Sequence, residues 1–199
     1  SSLEKKIEKV FEKPRHYQSG ISGFYDNKPL VGLERLYKKT ILLEPTTVCA
    51  AHCRWCLRGQ YPVKTLSDDQ IELATEYFGS EDLYNDVDEV LITGGDPLMS
   101  IKKLRTSLTN IKNNAKNIKI IRIGTRVPFQ DPKRVNDSML DLFAEFKNFR
   151  FEIGVNVNHP VEFWAESEEA IKKLNNYGLR IYNQNPLLKG VNDNFKTLV

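Results

Sequence analysis

The chain has 199 residues, of which 40% are apolar and 28% charged, and a formal net charge of +3 from 29 basic and 26 acidic side chains. These proportions are those of an ordinary globular domain, and the scattered, nearly balanced charge gives no case for nucleic acid or an anionic membrane as the main partner. No apolar run approaches the ~20 residues that span a bilayer, and no signal-peptide pattern opens the chain.

In chain order, Leu3, Ile7, Val10 and Phe11 repeat at helical spacing, which predicts a short helix over residues 3–13 that Pro14 ends. Residues 14–32 carry Gly, Pro and Tyr without a period and read as an irregular lead-in. Thr40–Thr46 is a short apolar run, a first strand. It leads into a loop bearing Cys49, Cys53 and Cys56, which are all the cysteines of the chain. Ser67 and Gln70 predict a capping box for a helix through Phe78, stopped by Gly79. Glu89–Thr93 reads as a buried strand ending in Gly94-Gly95-Asp96-Pro97. Ser100 is expected to cap the next helix, whose Ile101, Leu104, Leu108 and Ile111 share one face. Lys119–Gly124 reads as a strand, Asp137–Phe146 as a helix, Arg150–Val157 as a strand, and Ser167–Tyr177 as a helix closed by Gly178. Leu179–Asn183 is a fifth strand.

Strands alternating with helices of this length imply right-handed βαβ crossovers and a parallel sheet. The expected fold class is α/β, a partial or truncated (β/α) barrel with a short N-terminal helical extension. Residues 1–39 form the helix and lead-in, and residues 40–199 the barrel domain. About five strand–helix units are visible, whereas a closed eight-unit barrel takes ~250 residues, so a piece of a longer protein is expected. The cysteines, Gly94–Pro97, Thr125-Arg126, Asn158-His159 and Gln184 all follow the C-terminal ends of expected strands. In α/β barrels that is the edge where chemistry collects.

The cysteines carry the sharpest signal. They are spaced four and then three positions apart, too close to staple a fold and odd in number. Soft thiolates converging on one loop suit a metal centre. A [4Fe–4S] cluster takes four ligands, so three cysteines leave one iron open to a group that is not protein. Two readings compete. Ordinary buried thiols would not crowd in this way. Structural zinc, with His52 completing a Cys3His tetrahedron, is the closer rival. Such sites usually draw their ligands from two separated pairs, and His52 abuts Cys53. The open cluster is favoured. Three unpaired cysteines also suit a reducing interior, which makes the cytoplasm the expected location.

Cys-x3-Cys-x2-Cys after a first strand and Gly-Gly-Asp-Pro after a second resemble the radical S-adenosylmethionine (SAM) superfamily. Further motifs are similar to those of its lysine 2,3-aminomutase family. These are Gly32-Leu33-Glu34-Arg35-Leu36-Tyr37, Arg122-Ile123-Gly124-Thr125-Arg126-Val127-Pro128, Asn156-Val157-Asn158-His159-Pro160 and Asn183 through Asp193. The resemblance covers residues 24–199. It implies that Cys49, Cys53 and Cys56 hold three irons of a [4Fe–4S] cluster while SAM chelates the fourth. It places Trp55 against the adenine, although a packed loop aromatic reads equally from sequence. It gives Gly94 and Gly95 the close approach to the methionyl ammonium, and makes Asp96 an acceptor for it. Arg126, His159 and Gln184 would line the SAM pocket, and Arg58 would pair with the substrate carboxylate, a task suited to a guanidinium. The implied chemistry is electron transfer from the cluster into SAM, giving methionine and a 5′-deoxyadenosyl radical that takes a hydrogen atom from the substrate.

Aminomutases of the family also use pyridoxal phosphate (PLP), and the nitrogen of a small amino acid moves between neighbouring carbons. The resemblance further implies an electron donor such as flavodoxin or ferredoxin, and family members often associate as homo-oligomers. Two departures bear on PLP. The family's PLP-binding lysine lies in a Gly-rich motif that does not occur in residues 1–199, and Leu36 stands where the family has an arginine for the PLP phosphate. A radical SAM enzyme on the same scaffold without PLP is the alternative within chemistry. A non-catalytic, zinc-stabilised α/β module is the alternative of another class.

Overall fold

The structure, a computed structural model, describes residues 21–35, 37–56 and 64–198. The helix expected over 3–13, Leu36, and the segment Leu57-Arg58-Gly59-Gln60 lie outside the described residues.

The chain enters through a two-stranded antiparallel hairpin, β1 (Ile21–Tyr25) and β2 (Lys28–Val31). An irregular segment was expected here. The turn residues Asp26 and Asn27 both adopt positive φ, 49° and 58°, the conformation that a two-residue hairpin turn needs and that Asp and Asn tolerate better than most residues. A short strand β3 (Leu33–Glu34) then pairs antiparallel with β4 (Thr40–Thr46) at one edge of a six-stranded sheet. The other partners are β5 (Glu89–Gly94), β6 (Ile120–Thr125), β7 (Arg150–Val155) and β8 (Arg180–Asn183), in the order β3-β4-β5-β6-β7-β8. From β4 to β8 every pairing is parallel. The sheet is therefore the expected succession of five βα-type strands with an antiparallel edge strand added. Among the described residues it does not close on itself.

Seven α-helices lie among the described residues, and all but the last contribute to the buried cluster on one face. They are α1 (Asp68–Phe78), α2 (Glu81–Tyr84), α3 (Ile101–Asn114), α4 (Val127–Gln130), α5 (Asp137–Glu145), α6 (Ala165–Asn176) and α7 (Phe195–Leu198). Register explains the core. Ile41, Val90, Ile121 and Phe151 form one row across β4 to β7, and Leu43, Ile92, Ile123 and Ile153 the next. Both rows sit in one cluster with Leu104, Leu108 and Ile111 of α3, Phe143 of α5 and Leu174 of α6. Side chains two apart along a strand share a face, so these rows are the helix-packed side.

Local signals set the helix ends. Ser67 and Gln70 make the expected capping box, with Gln70 N donating to Ser67 Oγ at 3.2 Å and Ser67 N donating to Gln70 Oε1 at 2.9 Å. Gly79 ends α1 for a packing reason. A Cβ there would lie 2.0 Å from the Asn114 carbonyl oxygen at the end of α3. Ser100 differs from expectation. It makes no side-chain cap on α3, and the capping carboxylate belongs to Asp96, which accepts from Leu98 N at the 3-10 turn Pro97–Met99. Helix α6 begins at Ala165 rather than Ser167, whose hydroxyl accepts from Trp164 N at 2.9 Å.

Ile92 lies on the central strand and is fully buried. Ile92→Ala is expected to cost about 2–5 kcal/mol, the lost transfer energy plus a cavity, read as a lower urea midpoint at unchanged slope. A midpoint within error of the unaltered protein would show that this row is not the core.

Candidate functional site

Four strand exits meet at the C-terminal edge of the sheet. The first is the cysteine loop. Pro45 interrupts β4 where its register with β5 shifts, between Leu43 and Thr46, the kind of position at which a strand tolerates proline. Beyond it, Thr47 N donates to Thr65 Oγ1 at 3.2 Å and Val48 N to Thr46 Oγ1 at 3.2 Å. A tight turn with Cys56 N on the Cys53 carbonyl at 3.0 Å follows.

The second exit is Gly94-Gly95-Asp96, which is bound to the first. Gly95 N donates to Thr46 O at 2.7 Å and Asp96 N to Val48 O at 2.8 Å. Gly94 has φ +106°, a region that side chains rarely adopt. A Cβ on Gly95 would stand 2.5 Å from Thr47 C and 2.6 Å from Val48 O. The glycines thus let the backbone of the cysteine loop approach. The resemblance alone had assigned that closeness to a ligand.

Asp96 joins the second exit to the third. Its side chain is 5% exposed. Thr125 Oγ1 lies 2.8 and 2.9 Å from its two oxygens, Arg126 N donates at 2.7 Å, Val127 N at 3.2 Å and Leu98 N at 3.1 Å. Burial pushes the carboxyl above its usual range, against the pull of these hydrogen bonds. Both oxygens already face protein donors, so the geometry makes Asp96 the organiser of the site more than a free acceptor for a ligand.

Arg126 is the cation of the site. Nε donates to the Asn156 carbonyl at 3.0 Å, Nη1 to Cys53 Sγ at 3.1 Å and Nη2 to Glu162 Oε2 at 2.6 Å, while Cζ sits 5.5 Å from the centre of the Trp55 ring. Burial alone would lower its pKa, but the contacts with Cys53 and Glu162 outweigh that and hold it above the usual value. At the fourth exit Gln184 N donates to Val155 O at 2.7 Å, and the Gln184 side chain lies over Gly154, where a Cβ would come within 2.7 Å of Oε1.

These exits enclose a cavity of about 540 Å³, whose wall includes Cys49, Cys53, Cys56, Trp55, Gly94, Gly95, Asp96, Arg126 and Gln184. It also includes Thr93, Thr125, Gln130 and Asn156, residues not singled out from sequence as binding groups. His159 is placed elsewhere. It is exposed, and its Nδ1 accepts from Val161 N at 3.1 Å, capping the 3-10 turn Pro160–Glu162. Arg35 turns to Asp86, 3.4 Å away, and Arg58 lies outside the described residues. Glu162 is a member of the site that sequence reasoning missed, and its place three residues after His159, as the second half of a capping box, was the available signal.

The donor set fits a cluster better than one ion. All three thiols are free and line one cavity. His52 is not in the cavity wall. A cluster spreads its thiolates over separate irons, whereas tetrahedral zinc gathers its ligands within ~2.3 Å of one centre. Partial burial and the Asp96 carboxylate push the Cys49 thiol up.

The radical SAM superfamily model matches residues 43–199. L-lysine 2,3-aminomutase of Buchnera aphidicola is 33% identical over 174 residues, 86% of this chain and 50% of that protein. The protein of that name from Methanococcus maripaludis is 31% identical over 171 residues, 84% of this chain and 38% of the relative. The Escherichia coli one is 31% identical over 173 residues, 84% and 48%. The chain thus spans about half the length, or less, of these curated relatives.

Asp96→Asn tests the organiser. In either orientation the amide turns an N–H2 toward a backbone or hydroxyl donor. The expected loss is about 1–3 kcal/mol, the cost of buried donors left unmatched, read by urea denaturation. An unchanged midpoint would show that Asp96 does not hold the exits together.

Proposed function

Because the chain belongs to the radical SAM superfamily, we propose that it reductively cleaves SAM at the cavity edged by Cys49, Cys53 and Cys56, and that it acts as an amino-acid 2,3-aminomutase. The observation that supports this reading is that all the cysteines of the chain line one cavity together with the glycine turn Gly94-Gly95, Arg126 and Gln184. A [4Fe–4S] cluster held there by Cys49, Cys53 and Cys56 would supply the one-electron reduction on which SAM cleavage depends. Everything else is asked of the chain's own residues. Cys49, Cys53 and Cys56 donate thiolates to the cluster. The Gly94–Asp96 turn presents the wall against which the methionyl end packs. Arg126 offers a fixed positive charge beside that wall, and Trp55 an aromatic face for a base. Gln184 and Asn156 are the polar groups placed to orient a ribose. His159 has no place in this scheme, because its ring caps a turn outside the cavity wall.

The names of the relatives carry the aminomutase activity and an amino-acid substrate, and the family resemblance adds PLP. We assign residues 40–199 to the catalytic domain and residues 1–39 to a lead-in. Arg58 is assigned to the substrate carboxylate, a flavodoxin or ferredoxin to electron delivery, and the cytoplasm to the protein as the compartment that keeps such thiols reduced. A radical SAM enzyme without PLP is the second reading. No described helix is long and apolar enough to cross a membrane.

The test is anaerobic reconstitution with iron and sulfide, followed by SAM and dithionite and chromatography of 5′-deoxyadenosine. About four irons per chain, a brown colour, and SAM cleavage abolished in Cys53→Ala are expected. A colourless protein that binds zinc and leaves SAM intact would sink the reading. A yellow absorbance on adding PLP that borohydride makes permanent separates the two enzyme readings.

A further inference from the structure

Glu162 follows β7 on the 3-10 turn Pro160–Glu162, and its two oxygens do different things. Oε1 accepts from the backbone N–H groups of Asn158 at 2.8 Å and His159 at 3.2 Å. That leaves Oε2 facing Arg126 Nη2 at 2.6 Å, with both side chains mostly buried, at 20% and 16% exposure. Arg126 is in turn held at its backbone N by Asp96 and at Nε by the Asn156 carbonyl. With these atoms fixed, the planar guanidinium has one direction left for Nη1, and it meets Cys53 Sγ at 3.1 Å. Lysine carries its three donors on one freely rotating nitrogen, whereas the guanidinium spreads its donors over three nitrogens in a fixed plane.

We infer that Glu162 is a positioning residue that holds Arg126 against Cys53, and that through this contact the chain raises the reduction potential of the cluster that Cys53 helps to bind. The inference rests on the cluster reading above. A donor to a ligand sulfur stabilises the cluster more after it gains an electron, because the added negative charge lies partly on that sulfur. A cationic donor does so more strongly than a neutral one. The Trp55 ring centre lies 5.5 Å from Cζ of the same guanidinium.

Three variants test this: Glu162→Gln, Arg126→Gln and the pair together. Glu162→Gln keeps an acceptor for Asn158 and His159 while removing the charge that Arg126 needs. The first readout requires no cluster. In the side-chain ¹⁵N–¹H spectrum of the apo-protein, the clamped Arg126 is expected to give resolved Nη signals that average together in Glu162→Gln. Averaged signals in the unaltered protein would refute the clamp. The second readout is the midpoint potential of the reconstituted protein, from titration followed by electron paramagnetic resonance. Arg126→Gln is expected to weaken reduction about tenfold, ~59 mV for a one-electron couple. Glu162→Gln should move the potential the same way, and the double variant should match Arg126→Gln alone, because both act through one contact. A higher potential in Glu162→Gln, as mere removal of negative charge would give, or additive shifts in the pair, overturns the positioning role. If the unaltered protein takes up no iron, the redox half falls with the cluster reading, and the apo spectrum alone decides the clamp.

Discussion

A single buried carboxylate, Asp96, governs the arrangement of the site. It lies at the end of β5, but its partners Thr125, Arg126 and Val127 lie at the end of β6. Its own backbone N–H reaches back to Val48 beyond the end of β4. Three adjacent strand exits are therefore joined through one residue. Exits of parallel strands have no hairpin to hold them, and each is free to wander unless something ties it down. A carboxylate serves well here, because it can accept from several donors at once and asks for none in return.

The uncovered face of the sheet is graded along the strands. Low on it, Arg122 of β6 pairs with Glu89 Oε1 at 3.0 Å and Glu152 Oε2 at 3.2 Å, and Arg150 meets Glu152 from the other side at 2.9 Å. One layer higher the register places Gly124 beside Gly154, and both glycines line the cavity. Charge is thus neutralised at the base of the sheet, where barrels have no chemistry to do. Side chains are withheld near the top, where a ligand needs room. Gln184 lies over the space above Gly154, which makes its position a function of a side chain that is not there.

What could be read from sequence depended on the distance over which each signal acts. The capping box of α1 spans three residues, and the buried rows of β4 to β7 declare themselves as apolar runs. The cysteine spacing is local as well. The hairpin was missed because Ile-Ser-Gly-Phe-Tyr shows no clean alternation, and its signal was confined to Asp26-Asn27. The contacts made by Asp96 and Glu162 were not legible. Each depends on partners about thirty or more positions away, Thr125 for one and Arg126 for the other. Sequence spacing shows that a carboxylate follows a strand, but only register shows which donors reach it. The cap made by His159 was missed for a related reason. A histidine after a strand looks like a ligand, whereas its proximity to Pro160 and Glu162 made it a cap.

The cysteine loop is tied at its root by protein alone, through Thr65, the backbone of Gly95 and Asp96, and the Arg126 contact with Cys53. None of the three cysteines belongs to the hydrophobic core. In small zinc domains the binding of the metal is the folding event. Here the ties at the root of the loop are contacts between protein groups, and most of them involve no cysteine. A loop anchored in this way can present all three thiols to the cavity without spending any of them on the core.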